Sequence, residues 1–260
     1  MKKMLTFLIV LSFLMTSVVS AQSSMDFGFK FGGSRAKMSV DAEDSTYFTW
    51  IDSVFSSLAG SVEIDSDARI GLVGGVFLSI NVSPTFSIQP EILYSVKGVE
   101  KKVRYNFMGT PYETVLQIET AYLEIPVLLK YKFPSEGKIR PSLYVGPALG
   151  FNLSGKFKLE EGNEGAFATN LGERDILNLK STEFSGVLGG ELGIAMGNTT
   201  LLLDLRYTQG LTKAFEDASN QGQDPSTGDW AFVSPSGEAD NSKNSSFSLS
   251  VGVSFPIGGN

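Results

Sequence analysis

Ten charged residues recur at alternate positions within otherwise apolar or small-residue stretches: Lys30, Arg69, Glu91, Lys97, Glu124, Lys130, Lys132, Glu191, Asp204 and Arg206. Carboxylates and cations gathered in one confined interior could relay protons or pass ions, and Glu91, Glu124 and Glu191 beside Lys130 and Arg206 are the candidates for such a path. The same groups could instead pair with one another into a structural plug, since a buried charge needs a partner and hydrogen bonds.

Other chemistry is narrowed by what the chain lacks. Its 260 residues contain no histidine and no cysteine. That removes the Ser-His-Asp triad, imidazole and thiolate metal ligands, and any disulfide framework. The segment Gly150-Phe151-Asn152-Leu153-Ser154-Gly155-Lys156 follows most of a phosphate-binding loop. Phe157 stands where the magnesium-binding Ser or Thr belongs, so nucleotide binding is rejected. Acidic groups at Asp41, Glu43 and Asp44, at Glu160, Glu161 and Glu164, and at Glu216 and Asp217 lack the fixed spacing of a calcium loop and read as solvated loop charge. No metal, cofactor or catalytic residue is implied. The formal charge is −7, and nucleic acid is therefore not an expected partner.

The elements that must position these charges follow from a period-two pattern. Eight segments alternate apolar and polar or small residues, at 27–32, 69–82, 86–97, 123–133, 142–151, 188–196, 201–208 and 246–255. In 201–208, for example, Leu201, Leu203, Leu205 and Tyr207 oppose Leu202, Asp204, Arg206 and Thr208. Apolar residues at every second position, with many glycines and β-branched residues, argue against helices. The predicted fold is all-β: a single antiparallel up-and-down barrel of about eight strands.

Which side of the barrel meets lipid is decided by four features. Tight turns at 83–85, 134–138 and 197–198 alternate with long polar connections at about 36–68, 98–111, 154–183 and 212–244, as short periplasmic turns and long external loops do in membrane barrels. Within the strand cores the apolar parity carries no charge; a central Lys or Arg on a lipid face costs about 2–4 kcal/mol. Aromatics gather toward strand ends, with Phe86, Tyr131, Phe133 and Phe255 at the turn side and Tyr94, Phe151, Phe184, Tyr207 and Phe247 nearer the loops. Finally, Lys2 and Lys3, the apolar run 4–16 and Val19-Ser20-Ala21 form an export signal, predicted to be cleaved after residue 21 to leave a barrel domain at 22–260.

Several stretches resemble the PorT-like family of small outer-membrane β-barrels found in Bacteroidota. They are Pro90-Glu91-Ile92-Leu93-Tyr94-Ser95-Val96-Lys97-Gly98, Tyr122-Leu123-Glu124-Ile125-Pro126-Val127-Leu128-Leu129-Lys130-Tyr131, Gly146-Pro147-Ala148-Leu149-Gly150 and Leu203-Asp204-Leu205-Arg206-Tyr207-Thr208-Gln209-Gly210-Leu211. One departure is that Phe255 is followed by five more residues, whereas family barrels often end on an aromatic. The resemblance implies the barrel and an outer-membrane location, and the alternation of short turns and long loops puts both termini on the periplasmic side. A role in protein secretion, as for the founding member, would follow only by analogy.

The expectation is a non-enzymatic barrel in outer-membrane lipid, plugged by Lys30, Arg69, Glu91, Lys97, Glu124, Lys130, Glu191, Asp204 and Arg206, because eight strands enclose a space just wide enough for side chains. Function would then reside in the external loops, toward an envelope or secretion protein. Tyr47, Phe48, Trp50 and Phe55 in the first loop and Trp230 and Phe232 in the last could dock such a partner, or equally pack across the barrel mouth. The rival readings are a narrow channel or small-solute transporter and a soluble lipid-binding barrel.

Overall fold

The structure is a computed structural model that describes residues 24–39, 62–107, 110–161, 173–176, 179–214 and 243–257. The export signal and the loop aromatics Tyr47, Phe48, Trp50, Phe55, Trp230 and Phe232 lie outside the described residues.

Strands run in the order β1 (Met25–Ser39), β2 (Val62–Asn81), β3 (Phe86–Phe107), β4 (Thr110–Lys132), β5 (Ile139–Glu161), β6 (Glu173–Asp175), β7 (Thr182–Met196), β8 (Thr199–Gly210) and β9 (Lys243–Ile257). All pairings are antiparallel. The sheet order β4-β3-β2-β1-β9-β8-β7-β5-β6 closes through β4–β5, so eight strands form the barrel and β6 hangs on the outer part of β5. Closure satisfies every barrel strand on both edges, which the absence of water in a bilayer core demands. No helix among the described residues is long and apolar enough to cross a membrane.

Side-chain placement inverts that of a soluble barrel. Phe31, Leu188 and Leu205 point outward and are 60 %, 58 % and 59 % exposed, whereas Lys30, Glu91, Asp204 and Arg206 point inward and are at most 5 % exposed. Such an apolar exterior is stable only against lipid, and it overturns the soluble lipid-binding alternative. Ring pairs mark both rims. Phe86–Tyr131 (tilted) and Tyr131–Phe133 (edge-on) lie with ring centroids 5.2 and 5.0 Å apart near the turns, and Tyr207–Phe247 (tilted) 4.7 Å apart near the loops. At the tight β7–β8 turn, Gly197 adopts φ +63°, a backbone that only glycine takes up without strain.

The strands reach further than expected on the loop side. β2 to β5 hold 20, 22, 23 and 23 residues, against 15, 15, 12 and 15 for β1, β7, β8 and β9. A tilted span needs about 9–11 residues, so half of each long strand projects beyond the lipid. The expected long connection at 98–111 is therefore corrected to a hairpin in which Phe107 pairs with Thr110. Likewise 154–161 belongs to β5. Outside the bilayer both faces are wet, so the apolar alternation that flags a spanning strand lapses although the ladder continues. Opposite charges facing across strands, such as Arg104 with Glu113, take its place in the backbone register.

Candidate functional site

The inward charges settle into three layers stacked along the barrel. In the middle layer, Lys30 of β1 donates to Glu91 Oε1 of β3 at 2.8 Å and to Asp204 Oδ2 of β8 at 2.7 Å. Arg206 Nη2 stands 2.8 Å from Glu91 Oε2, a contact of charge without an aligned N–H, since that oxygen accepts no hydrogen bond. Arg206 Nε donates to Tyr144 Oη at 3.2 Å, and Tyr144 in turn donates to Asp204 Oδ1. Gln89 Nε2 completes Glu91 Oε1 at 2.8 Å. Two cations and two carboxylates are thus cross-linked over β1, β3, β5 and β8. Tyr144 fits because Gly189 of β7 leaves room: a Cβ there would lie 2.3 Å from the phenol oxygen.

Toward the turn end, Lys130 bonds Glu191 Oε1 and, at 3.2 Å, Gln89 Oε1. Toward the loop end, Lys97 bridges Glu124 Oε1 at 2.7 Å and Glu183 Oε1 at 3.0 Å. Ser185 and Asn244 also donate to Glu183, and Lys97 lies 5.0 Å above the Tyr122 ring. Beyond this layer, Ile176 and Ser181 bond to β5 and Lys180 bonds to the segment after β8. Ile176 N bonds Gly155 O, Asn152 N bonds Ser181 O, Lys180 N bonds Ala214 O, and Ile176 and Ala214 are buried.

Eight of the nine expected interior charges therefore meet in these layers: Lys30, Glu91, Lys97, Glu124, Lys130, Glu191, Asp204 and Arg206. Arg69 does not. Between Ala68 and Val73 strand β2 carries one residue more than β3 does between Val99 and Ser95, and this bulge reverses the parity. Arg69 consequently reaches over Gly98 to Gln117 and Glu119 on the outer face of β4. Lys132 sits half-buried at the turn-side mouth, bonded to Asn81 Oδ1.

Sequence reasoning missed Glu183, Tyr144, Tyr122, Gln89 and Asn244. For Glu183 a signal existed, because Glu183, Ser185, Val187, Gly189 and Glu191 share one parity if the sixth alternating segment is begun at 183 rather than 188. Among the described residues no group of three or more His, Cys, Asp or Glu side chains is arranged to hold a metal ion.

A closed barrel with an apolar exterior and a charged, paired interior defines a transmembrane β-barrel protein. The chain belongs to the outer membrane protein beta-barrel domain family, whose model matches residues 20–216, and it is thereby an outer-membrane protein. Among solved structures it is similar to Neisserial surface protein A, at 14 % identity over 89 % of this chain and 97 % of that one, with a TM-score of 0.39. Ail, the attachment invasion locus protein of Yersinia pestis, solved with the heparin analogue sucrose octasulfate, matches at 9 % identity over 89 % and 99 %, also at 0.39. The translocator domain of the autotransporter NalP from Neisseria meningitidis follows at 10 % identity over 98 % and 97 %, with 0.26. No curated protein matches the chain significantly.

Proposed function

We propose that this protein is a non-enzymatic, plugged outer-membrane barrel that acts through what it presents outside the membrane. One observation carries the plug: the middle layer ties Lys30, Glu91, Asp204 and Arg206 across the lumen at 2.7–2.8 Å with side chains at most 5 % exposed. A solute would have to break these ion pairs in a low-dielectric interior, where removing one partner costs about 3–5 kcal/mol. At the loop end Ile176 is buried and bonded to Gly155 of β5, and Lys180 is bonded to Ala214 beyond β8.

The long strands support the external role. The β2–β5 wall holds a paired sheet well past the lipid, a firm platform for the first, second and third loops, and its partner would be an envelope or secretion component. We place the chain termini and tight turns in the periplasm, after removal of residues 1–21, since short turns lie on that side in this architecture. Within the family, the motifs at 90–98 and 122–131, which lie in the turn-side halves of β3 and β4, favour the PorT-like branch.

Planar-bilayer recording tests the plug. The purified barrel is expected to show no steady unitary current, and Arg206→Ala to introduce at most brief flickers. Steady currents from the unaltered protein, removed by substituting Glu91 or Arg206, would establish the channel reading instead. Crosslinking from an engineered cysteine at Thr110, exposed at the start of β4, on intact cells identifies the partner.

A further inference from the structure

The two rims of the barrel differ in the charge their outer wall carries. Toward the turns, the described strand residues that point outward, such as Phe86, Ile139, Met196, Leu201 and Phe255, include no charged side chain. Toward the loops the outer wall carries both signs, and most of these charges are matched: Arg69 pairs with Glu119, Lys102 with Asp67 and Glu100, and Arg104 with Glu113. Two are not. Arg35 and Lys37 of β1 share the exposed, outward parity of Phe27, Phe29 and Phe31, and make no ion pair or hydrogen bond among the described residues.

Their height on the wall is fixed by the ladder. Counted from Met25 at the turn end, Arg35 is the eleventh residue of β1 and Lys37 the thirteenth, and a tilted strand crosses the hydrocarbon in about 9–11 residues. The neighbouring strands change character at the same level. Arg35 lies opposite Ile70 of β2 and Phe247 of β9, which still belong to the apolar band, whereas Lys37 lies opposite Ser245 of β9, itself opposite Gln209 of β8. None of these neighbours carries a negative charge. Just below, Phe31, Phe247 and Leu249 stay exposed.

Water alone would serve a long cationic side chain at either rim, since such side chains snorkel. Two unmatched cations on one rim, side by side over exposed rings, instead complement an anion held at that height. Successive outward positions on a strand stand roughly 7 Å apart, so a guanidinium fork and an ammonium can converge on one phosphate. We propose that Arg35 and Lys37 bind the phosphate of a phosphorylated glycolipid in the outer leaflet, with its acyl chains lying on Phe31, Phe247 and Leu249 and the Ser245 hydroxyl beside the head group. This reading rests on the outward orientation of the loops proposed above.

The test titrates the processed chain in dodecyl maltoside micelles with lipid A carrying its phosphates and with the same lipid stripped of them, followed by NMR shifts and calorimetry. The phosphorylated form is expected to bind at least about tenfold tighter. Arg35→Gln and Lys37→Gln, both at exposed positions, should each weaken it by about fivefold and together by about tenfold or more. Lys102→Gln removes the same charge from a matched site and should change little. Equal affinity for the two lipids, an unaltered affinity in the double variant, or an equal loss in Lys102→Gln would each overturn the proposal. Inorganic phosphate should displace the lipid only at roughly a hundredfold excess or more; displacement at parity would make this a free-anion site and overturn lipid docking. Orientation is read separately from Thr110→Cys, exposed at the start of β4 in a chain with no cysteine of its own. Labelling on intact cells by a maleimide too large to cross the outer membrane is expected. Its absence would put the two cations in the periplasmic leaflet and overturn the outer-leaflet assignment, whatever the lipid titration shows.

Discussion

The lumen and the outer face of the β2–β4 extension are built from the same residue types on the same kind of ladder, yet they use charge in opposite ways. In the lumen Lys30, Glu91, Asp204 and Arg206 are at most 5 % exposed and each touches two or more partners. On the extension Lys102 meets Asp67 at 3.3 Å and Glu100 at 3.5 Å, and Arg104 meets Glu113 at 2.8 Å, with these side chains about a third to a half open to water. Desolvation makes the difference. A lumen charge has lost its water and depends on its partners, whereas an extension charge falls back on solvent when its partner leaves. The first arrangement fixes which strands can be neighbours in a closed barrel; the second keeps a projecting sheet soluble and in register.

The largest break in that contrast is expected from Arg206→Ala, which strands Glu91 and Asp204 beside a single lysine. A loss of about 3–5 kcal/mol is anticipated, read as a lower denaturant midpoint for the barrel in lipid vesicles. A midpoint unchanged within error would show that the middle layer carries no structural weight. Tyr144→Phe is subtler: it removes the hydroxyl that links Arg206 to Asp204 and leaves the ring over Gly189, so roughly 1–3 kcal/mol should be lost. Equality with Arg206→Ala would mean that the phenol, not the ion pair, organises the layer.

Smallest of all is Lys102→Gln, expected to leave the midpoint where it is. Hydrogen bonding to Asp67, reinforced by the charges of Asp67 and Glu100, raises the ammonium above the ordinary lysine range. Whatever this contact contributes is present below the ordinary lysine value and fades as pH rises through the raised one. It should also vanish in 1 M salt, where the screening length is about 3 Å, while the lumen pairs persist. A drop in the midpoint for Lys102→Gln comparable to that of Tyr144→Phe would erase the distinction between the two regions.

Much of this was legible in the residues. Alternation with period two assigned Lys30, Glu91, Lys97, Glu124, Lys130, Glu191, Asp204 and Arg206 to one face, because in a strand the side-chain direction is set by position alone. The charge-free opposite parity identified the lipid face for the same reason. Parity arguments failed where the ladder was irregular or its solvent changed. Arg69 left the lumen through a bulge that no local pattern announces, and the outer halves of β2 to β5 lost their apolar signal once both faces were wet.

By itself, then, the order of residues determined the membrane-spanning strand cores, the side of the wall that all but Arg69 of the predicted interior charges take and the medium outside it, since these depend on neighbours one and two positions away. Partnership was decided only in three dimensions. Lys30 meets Asp204 across 174 positions, and Glu183, Tyr144 and Gln89 join the layers, because strand closure and register bring distant strands to one level of the lumen. The seat of Arg35 beside Phe247 belongs to that second kind of information, because only closure lays the first strand against the last.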